Sequence, residues 1–398
     1  MEAAAGFTWE ALVAARALVD DDALAEVMRA SNAPGVISFA GGFPNPETFP
    51  WETLPEVVAS IVGARDATAF QYPPVPGLPS TLDFMASRIE RIEGARPGDG
   101  ELLMTSGGIE AMQLVGTAFL EPGDLVVCES PTYLGAIMGF RAAGARLEAV
   151  ALDDEGLRVD ELETLLERGA RPKLLYTIPD HQNPAGVSLS PERRAALVEL
   201  ARRHGFLVVE DVAYRELRFD GELDRSLWSH GADVVLQIGT FSKTLFPGAR
   251  LGWGVGPRDI VSRLVWAKQL SDQGAGALAQ RLAEELGRRG LLDEQIARSR
   301  ALYARRWALT HASLEAHLGA AARWTEPTGG FFTWLTLDGG RDTSELARHA
   351  LEAGVSFVPG RPFFPGDEGA ANLRLAFSLA PEDRIDEGIE RLGRLIAG

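Results

Sequence analysis

Between residues 100 and 255 the chain alternates short apolar runs with longer stretches in which apolar residues recur at helical spacing. The runs at 101–105, 124–128, 146–151, 173–178, 206–209, 234–238 and 252–255 predict strands. Several, such as Phe206-Leu207-Val208-Val209, are apolar throughout rather than alternating, as strands covered on both faces are. Helical stretches such as 110–119 and 191–204 lie between them, which predicts a mostly parallel sheet wrapped by helices. After about residue 285 the pattern changes to long helices, then short strands at 331–335 and 373–377, then a final helix. That change predicts a smaller α+β domain. Upstream, residues 8–30 have helical apolar spacing, and Gly41-Gly42-Phe43-Pro44-Asn45-Pro46 cannot be regular structure. The expected division is an N-terminal segment, 1–50, joining a small domain at 286–398, with a large domain at 51–285 between them.

The bulk properties narrow the function. A chain of 398 residues is too long for one compact core. Its formal net charge of −17 argues against a nucleic-acid partner, since nothing offsets repulsion from phosphates. Cys128 is the only cysteine, so no internal disulfide is possible, and a reducing compartment is expected. It ends the apolar run Leu125-Val126-Val127-Cys128 and reads as a buried strand residue rather than a nucleophile. The opening Met-Glu-Ala-Ala-Ala-Gly has no basic region followed by an apolar one, as a secretory signal would. No window approaches the roughly 18 apolar residues of a membrane helix. A cytoplasmic protein with no membrane partner is the expectation. No Cys/His spacing indicates a metal.

In α/β sheets of this kind ligands bind outside the carboxyl ends of the strands, so chemistry should follow each apolar run. After Leu103-Met104-Thr105 comes Ser106-Gly107-Gly108-Ile109, opening a helix at Glu110. Paired glycines at a helix start let backbone N–H groups close on a phosphate, helped by the helix dipole. After the run ending at Ile178 comes Asn183-Pro184-Ala185-Gly186, a turn that exposes an amide. Directly after Phe206–Val209 stand Glu210, Asp211 and, three further on, Tyr214. An acid there is expensive to desolvate unless a cation meets it, and a protonated pyridine nitrogen would serve. The run at 234–238 leads into Gly239-Thr240-Phe241-Ser242-Lys243, with Arg250 beyond a Pro-Gly turn. Hydroxyls and guanidinium suit a phosphate, and the lysine suits an aldehyde.

These four strand-end sites, in this order, resemble the fold-type-I, class I/II pyridoxal 5′-phosphate (PLP) aminotransferases, most closely the 2-aminoadipate and kynurenine aminotransferase group. The resemblance runs from Ile37-Ser38-Phe39-Ala40-Gly41-Gly42 to Asn372-Leu373-Arg374-Leu375. It implies the α/β PLP-dependent transferase fold and a ping-pong transfer of an amino group from an α-amino acid to a 2-oxo acid. Lys243 would hold the cofactor as a Schiff base and, once released, move the catalytic proton. Asp211 would pair with the pyridinium nitrogen, keeping the ring an electron sink. Asn183 and Tyr214 would hydrogen-bond the phenolic oxygen, and Tyr133 would stack on the ring face. Gly108, Ile109, Thr240, Ser242 and Arg250 would cradle the phosphate. Tyr72, in Gln71-Tyr72-Pro73, would reach it from the neighbouring subunit of a homodimer. Arg374 would grip the substrate α-carboxylate, with Asn183 and Gly42 completing that site.

This chain departs from the family in two places. Gly108 and Ile109 contribute backbone only, where the family more often has a hydroxyl. The helix arginine that meets a distal carboxylate in the 2-aminoadipate group is matched by Ala25, beside the acidic run Asp20-Asp21-Asp22. A neutral donor side chain is therefore expected, with a basic one as the alternative. His181, His204, Trp253 and Trp334 are read as structural. A decarboxylase, lyase or oxidase on the same cofactor is the competing chemistry. A transcriptional regulator built on this fold is not expected, because the family motifs begin by Ile37.

Overall fold

Each of the apolar runs forms a strand in the computed structural model of the chain, which describes residues 12–14 and 35–397. The proposed helix at 8–30, with Asp20–Asp22 and Ala25, thus falls almost wholly outside the described residues. A first short strand, β1 (Ile37–Ser38), is followed by the eight strands of the large sheet. These are β2 (Leu102–Thr105), β3 (Leu125–Ser130), β4 (Arg146–Asp153), β5 (Gly156–Leu157), β6 (Leu174–Thr177), β7 (Leu207–Asp211), β8 (Val235–Thr240) and β9 (Gly252–Val255). Their order across the sheet is β2-β9-β8-β7-β6-β3-β4-β5. The β4-β3-β6-β7-β8 pairs are parallel, whereas β9 runs antiparallel to both β8 and β2. The reason for that reversal is local. The chain returns from β8 to β9 through a short turn at Pro247–Ala249, too brief for a helical crossover.

The parity of the central strands sorts two cores to the two faces of the sheet. Val127, Leu175, Val208 and Val235 face one cluster, and Cys128, Tyr176, Val209 and Leu236 face the other. Cys128 is a buried free thiol that burial pushes up to about 12, as its strand position predicts. On the first face, near the carboxyl ends, the apolar pattern gives way to buried polar groups: Glu129 on β3, Thr177 on β6, Glu210 on β7 and Gln237 on β8. Two expectations shift slightly. Asp211 is the last residue of β7 rather than a residue after it, and the helix expected from Glu110 begins at Gly108.

The remaining strands, β10 (Ala322–Trp324), β11 (Phe332–Leu337), β12 (Val355–Ser356), β13 (Val358–Pro359) and β14 (Asn372–Ala376), belong to the C-terminal part of the chain. Four of them form an antiparallel sheet in the order β10-β11-β14-β13. The fifth, β12, pairs in parallel with β1, Ile37 facing Val355. A 27-residue helix, Leu291–His317, joins the two halves. Its first turns pack Leu292 and Ile296 into the large core, and its end packs Leu314 into the small one.

Candidate active site

A cavity of about 410 Å³ opens at the carboxyl ends of the parallel strands. Every residue given a cofactor or substrate role in the sequence lines it except Tyr72. Lys243 follows β8, and its Nζ donates to the Gly42 carbonyl at 2.8 Å. Desolvation, reinforced by the Arg374 charge, lowers its pKa to about 8. Gly42 is held close because Phe332 leaves no room for a side chain: a Cβ there would lie 2.5 Å from the Phe332 ring.

Asp211 is buried among the strand ends. Its Oδ2 accepts from the Tyr176 hydroxyl at 2.9 Å and its Oδ1 from the Ala213 amide at 3.1 Å. Burial nonetheless raises its pKa, because those donors and the Lys243 charge offset only part of the desolvation. Tyr133 caps the helix Leu134–Ala142, and its phenol is raised first by burial and then by the Asp211 charge. Its ring lies against Gly135, where a Cβ would be 2.6 Å from the ring. Tyr214 is buried edge-on between Phe331 and Phe332, at 5.4 and 5.5 Å.

Arg374, on β14, enters the cavity from the small sheet. Its Nη1 donates to Asn183 Oδ1 at 2.8 Å and its Nη2 to the Ala40 carbonyl at 2.9 Å. The guanidinium lies 4.3 Å above the Phe332 ring and 4.9 Å from Phe363. Its Nε–H is buried without an acceptor. A buried unpartnered donor on a buried cation is costly unless an anion completes it.

At the other end of the cavity, the donors gather without any carboxylate among them. Thr240 Oγ1 and Ser242 Oγ are 2.9 Å apart, and Arg250 Nη1 reaches Ser242 Oγ at 3.4 Å. Arg250 holds a left-handed backbone, φ 47°. The helix Gly108–Phe119 points its first N–H groups here, ahead of the first intrahelical bond. Glycine is required at 107, whose φ is 94° and whose added Cβ would come within 2.8 Å of Arg250 Nη2. The turn is secured from behind. Glu110 accepts from the Ser106 amide and from buried Lys268, which also binds Asp272 at 2.9 Å.

PLP fits this arrangement. The three hydroxyl and guanidinium donors with a helix N-terminus suit its phosphate, the buried carboxylate suits a protonated ring nitrogen, and Lys243 suits its aldehyde. Tyr72 stands apart, 83% exposed, in a surface depression with Trp266, Leu270 and Gln273. Sequence reasoning missed Tyr176, Gly135 and Phe332. Tyr176 alone left a signal, since it has the parity of Asp211 on an adjacent strand. His181 is buried at φ 51°, packed on Gly329 and Gly330 and lowered to about 4 by burial, and it does not line the cavity.

Comparison with known proteins agrees with the geometry. A family model described as "Aminotransferase class I and II" matches residues 36–392. The 2-aminoadipate transaminase of Thermus thermophilus is 39% identical over 94% of this chain and 93% of its own. The aromatic-amino-acid aminotransferase 1 of Thermococcus litoralis is 36% identical over 93% and 90%. The crystal structure of α-aminoadipate aminotransferase from T. thermophilus, complexed with N-(5′-phosphopyridoxyl)-L-leucine, superposes with a TM-score of 0.91 at 36% identity, covering 98% of this chain and 99% of that one. The chain therefore belongs to the class I and II aminotransferases and is a PLP-dependent enzyme that moves an amino group from an α-amino acid to a 2-oxo acid.

Proposed function

We propose that the cavity is the transamination site of a cytoplasmic homodimer whose preferred amino-acid donors have neutral side chains. The observation that carries this reading is the Lys243 amine directed into a cavity whose only other charged lining groups, among the described residues, are Asp211, Arg250 and Arg374. Each of those has a use, so among the described residues no cation is left there for a distal carboxylate. Phe43, Met112, Leu134 and Val358 make the rest of the wall apolar.

When bound, the cofactor supplies the electron sink for the pair left at the substrate Cα. Lys243 would hold the cofactor through its aldehyde, and its amine, directed into the cavity, would be the group placed to move a proton at the substrate Cα. Asp211, its oxygens aimed by Tyr176 and the Ala213 amide, would hold a proton on the ring nitrogen. Tyr133 would lie against the cofactor ring. Asn183 and Tyr214 serve the phenolic oxygen, while Thr240, Ser242, Arg250 and the Gly108–Ile109 amides take the phosphate. Arg374 offers its free Nε–H to the α-carboxylate, beside Gly42. Tyr72 serves the phosphate of the partner subunit, which accounts for its exposure here. The large domain spans 51–285, with 1–50 completing the small domain at 286–398, in keeping with the β1–β12 pairing.

The test is a panel of amino acids mixed with enzyme and no acceptor, following conversion of the cofactor to its amino form. Aromatic or aliphatic donors should convert fastest. Fastest conversion of 2-aminoadipate or glutamate would overturn the neutral-donor reading.

A further inference from the structure

The catalytic groups of the cavity do not touch Glu129, yet this buried carboxylate stands behind two of its walls. Glu129, near the end of β3, is 2% exposed and has no cation among its hydrogen-bond partners. It accepts from Thr177 Oγ1, from the Ile178 amide at 3.1 Å and from Gln182 Nε2 at 2.8 Å. Gln182 is itself fully engaged. The same Nε2 donates to the Pro131 carbonyl at 2.8 Å, and Oε1 accepts from the Ala185 amide at 2.7 Å. Its own backbone closes the 182–187 turn, accepting from Gly186 at 2.6 Å and donating to Val187 at 2.9 Å. Gln182 is the residue before Asn183, and Pro131 lies two residues before Tyr133.

A buried carboxylate held only by neutral donors is costly, and a neutral side chain of the same shape would fill the space at less expense. What the carboxyl group adds here, its pKa raised to about 7 by burial, is an acceptor shared by a strand, a strand end and a loop. We propose that Glu129 is a positioning residue that, through Gln182, fastens the turn bearing Tyr133 to the turn bearing Asn183. The two walls that grip the cofactor ring from different loops are thereby held in one register. The inference rests on the proposed roles of Tyr133 and Asn183 and adds to them the device that fixes their separation.

The experiment is a double-mutant cycle in the PLP-loaded enzyme with Glu129→Gln and Gln182→Met. Glu129→Gln keeps an acceptor for Thr177 and Ile178 but sets an amide N–H against that of Gln182. Each single variant should retain cofactor, lose about tenfold to a hundredfold in kcat, as small misplacements do, and change the visible circular dichroism of the bound ring. The double variant should be no worse than the poorer single, because the two residues act as one unit. Unchanged kcat and dichroism, or losses that multiply in the double variant, would overturn the proposal. So would a lowered thermal midpoint with kcat per folded site unchanged. Should Glu129→Gln not fold, Gln182→Met and its dichroism decide the matter alone. Tyr133→Phe and Asn183→Ala, measured alongside, separate the two ways of failing. If they too leave kcat and dichroism unmoved, the roles of the ring walls are wrong. If they alone move them, only the tie is wrong.

Discussion

Asp211 and Tyr176 meet across two parallel strands because Tyr176 pairs with Val209, placing it on the same face as the acid two residues further on. A hydrogen bond to a charged group is worth about 1.5–3 kcal/mol. Tyr176→Phe should therefore raise the Asp211 pKa further and lower kcat about tenfold, with cofactor still bound, as single-turnover kinetics would register. Lys243 offers a sharper test. Because burial lowers its pKa to about 8, the rate at which cofactor-free protein captures PLP should rise with pH and level off above that value. An ordinary lysine would keep climbing toward pH 10. Borohydride reduction should fix the label on Lys243, and a label elsewhere would end the assignment. The residues that announce their chemistry by type (Lys243, Asp211, Arg250, Arg374) were legible in the sequence because each follows an apolar run or stands in a motif. Gly135 and Phe332 were not. Their parts depend on what packs against a ring or a neighbouring loop, and no spacing along the chain encodes that.

At the scale of elements, the strand runs were legible wherever a strand is covered on both faces. Two-residue strands such as β1, β5, β12 and β13 were not, since two positions carry no period. The polar groups near the carboxyl ends of β3 and β7 have their own consequence. Glu210 accepts from the Leu227 and Trp228 amides at 2.7 and 2.9 Å, yet burial and the nearby Glu93 push it up to about 7. In the folded chain it keeps a proton that the unfolded chain releases near pH 4.5, so its contribution to stability falls as pH rises from there to above 7. Thermal midpoints measured from pH 5 to 8 should fall less steeply for Glu210→Gln than for the parent. An equal or steeper fall would show that the carboxylate is already ionised at pH 5.

At the scale of the whole molecule, one face displays Tyr72 at 83%, Trp266 at 60% and Leu270 at 70% exposure, and Tyr72 is the one residue given a cofactor role in the sequence that lies outside the cavity. Exposed large apolar side chains such as Trp266 and Leu270 are where the proposed dimer would close. Sedimentation should find a dimer, Trp266→Glu should yield monomers, and those monomers should lose PLP faster than the parent. A fully active monomer would refute the shared site. Arg250 carries a different consequence. A left-handed backbone costs a residue with a side chain about 1–2 kcal/mol, of which glycine would return part and forfeit about 0.5–1 kcal/mol in chain entropy. Arg250→Gly should accordingly leave the cofactor-free protein no less heat-resistant than the parent, while the loaded protein melts lower and sheds PLP sooner. If Arg250 serves the phosphate as proposed, its left-handed backbone trades stability of the empty scaffold for hold on the cofactor, and thermostabilising substitutions selected at this corner without PLP would weaken the loaded enzyme.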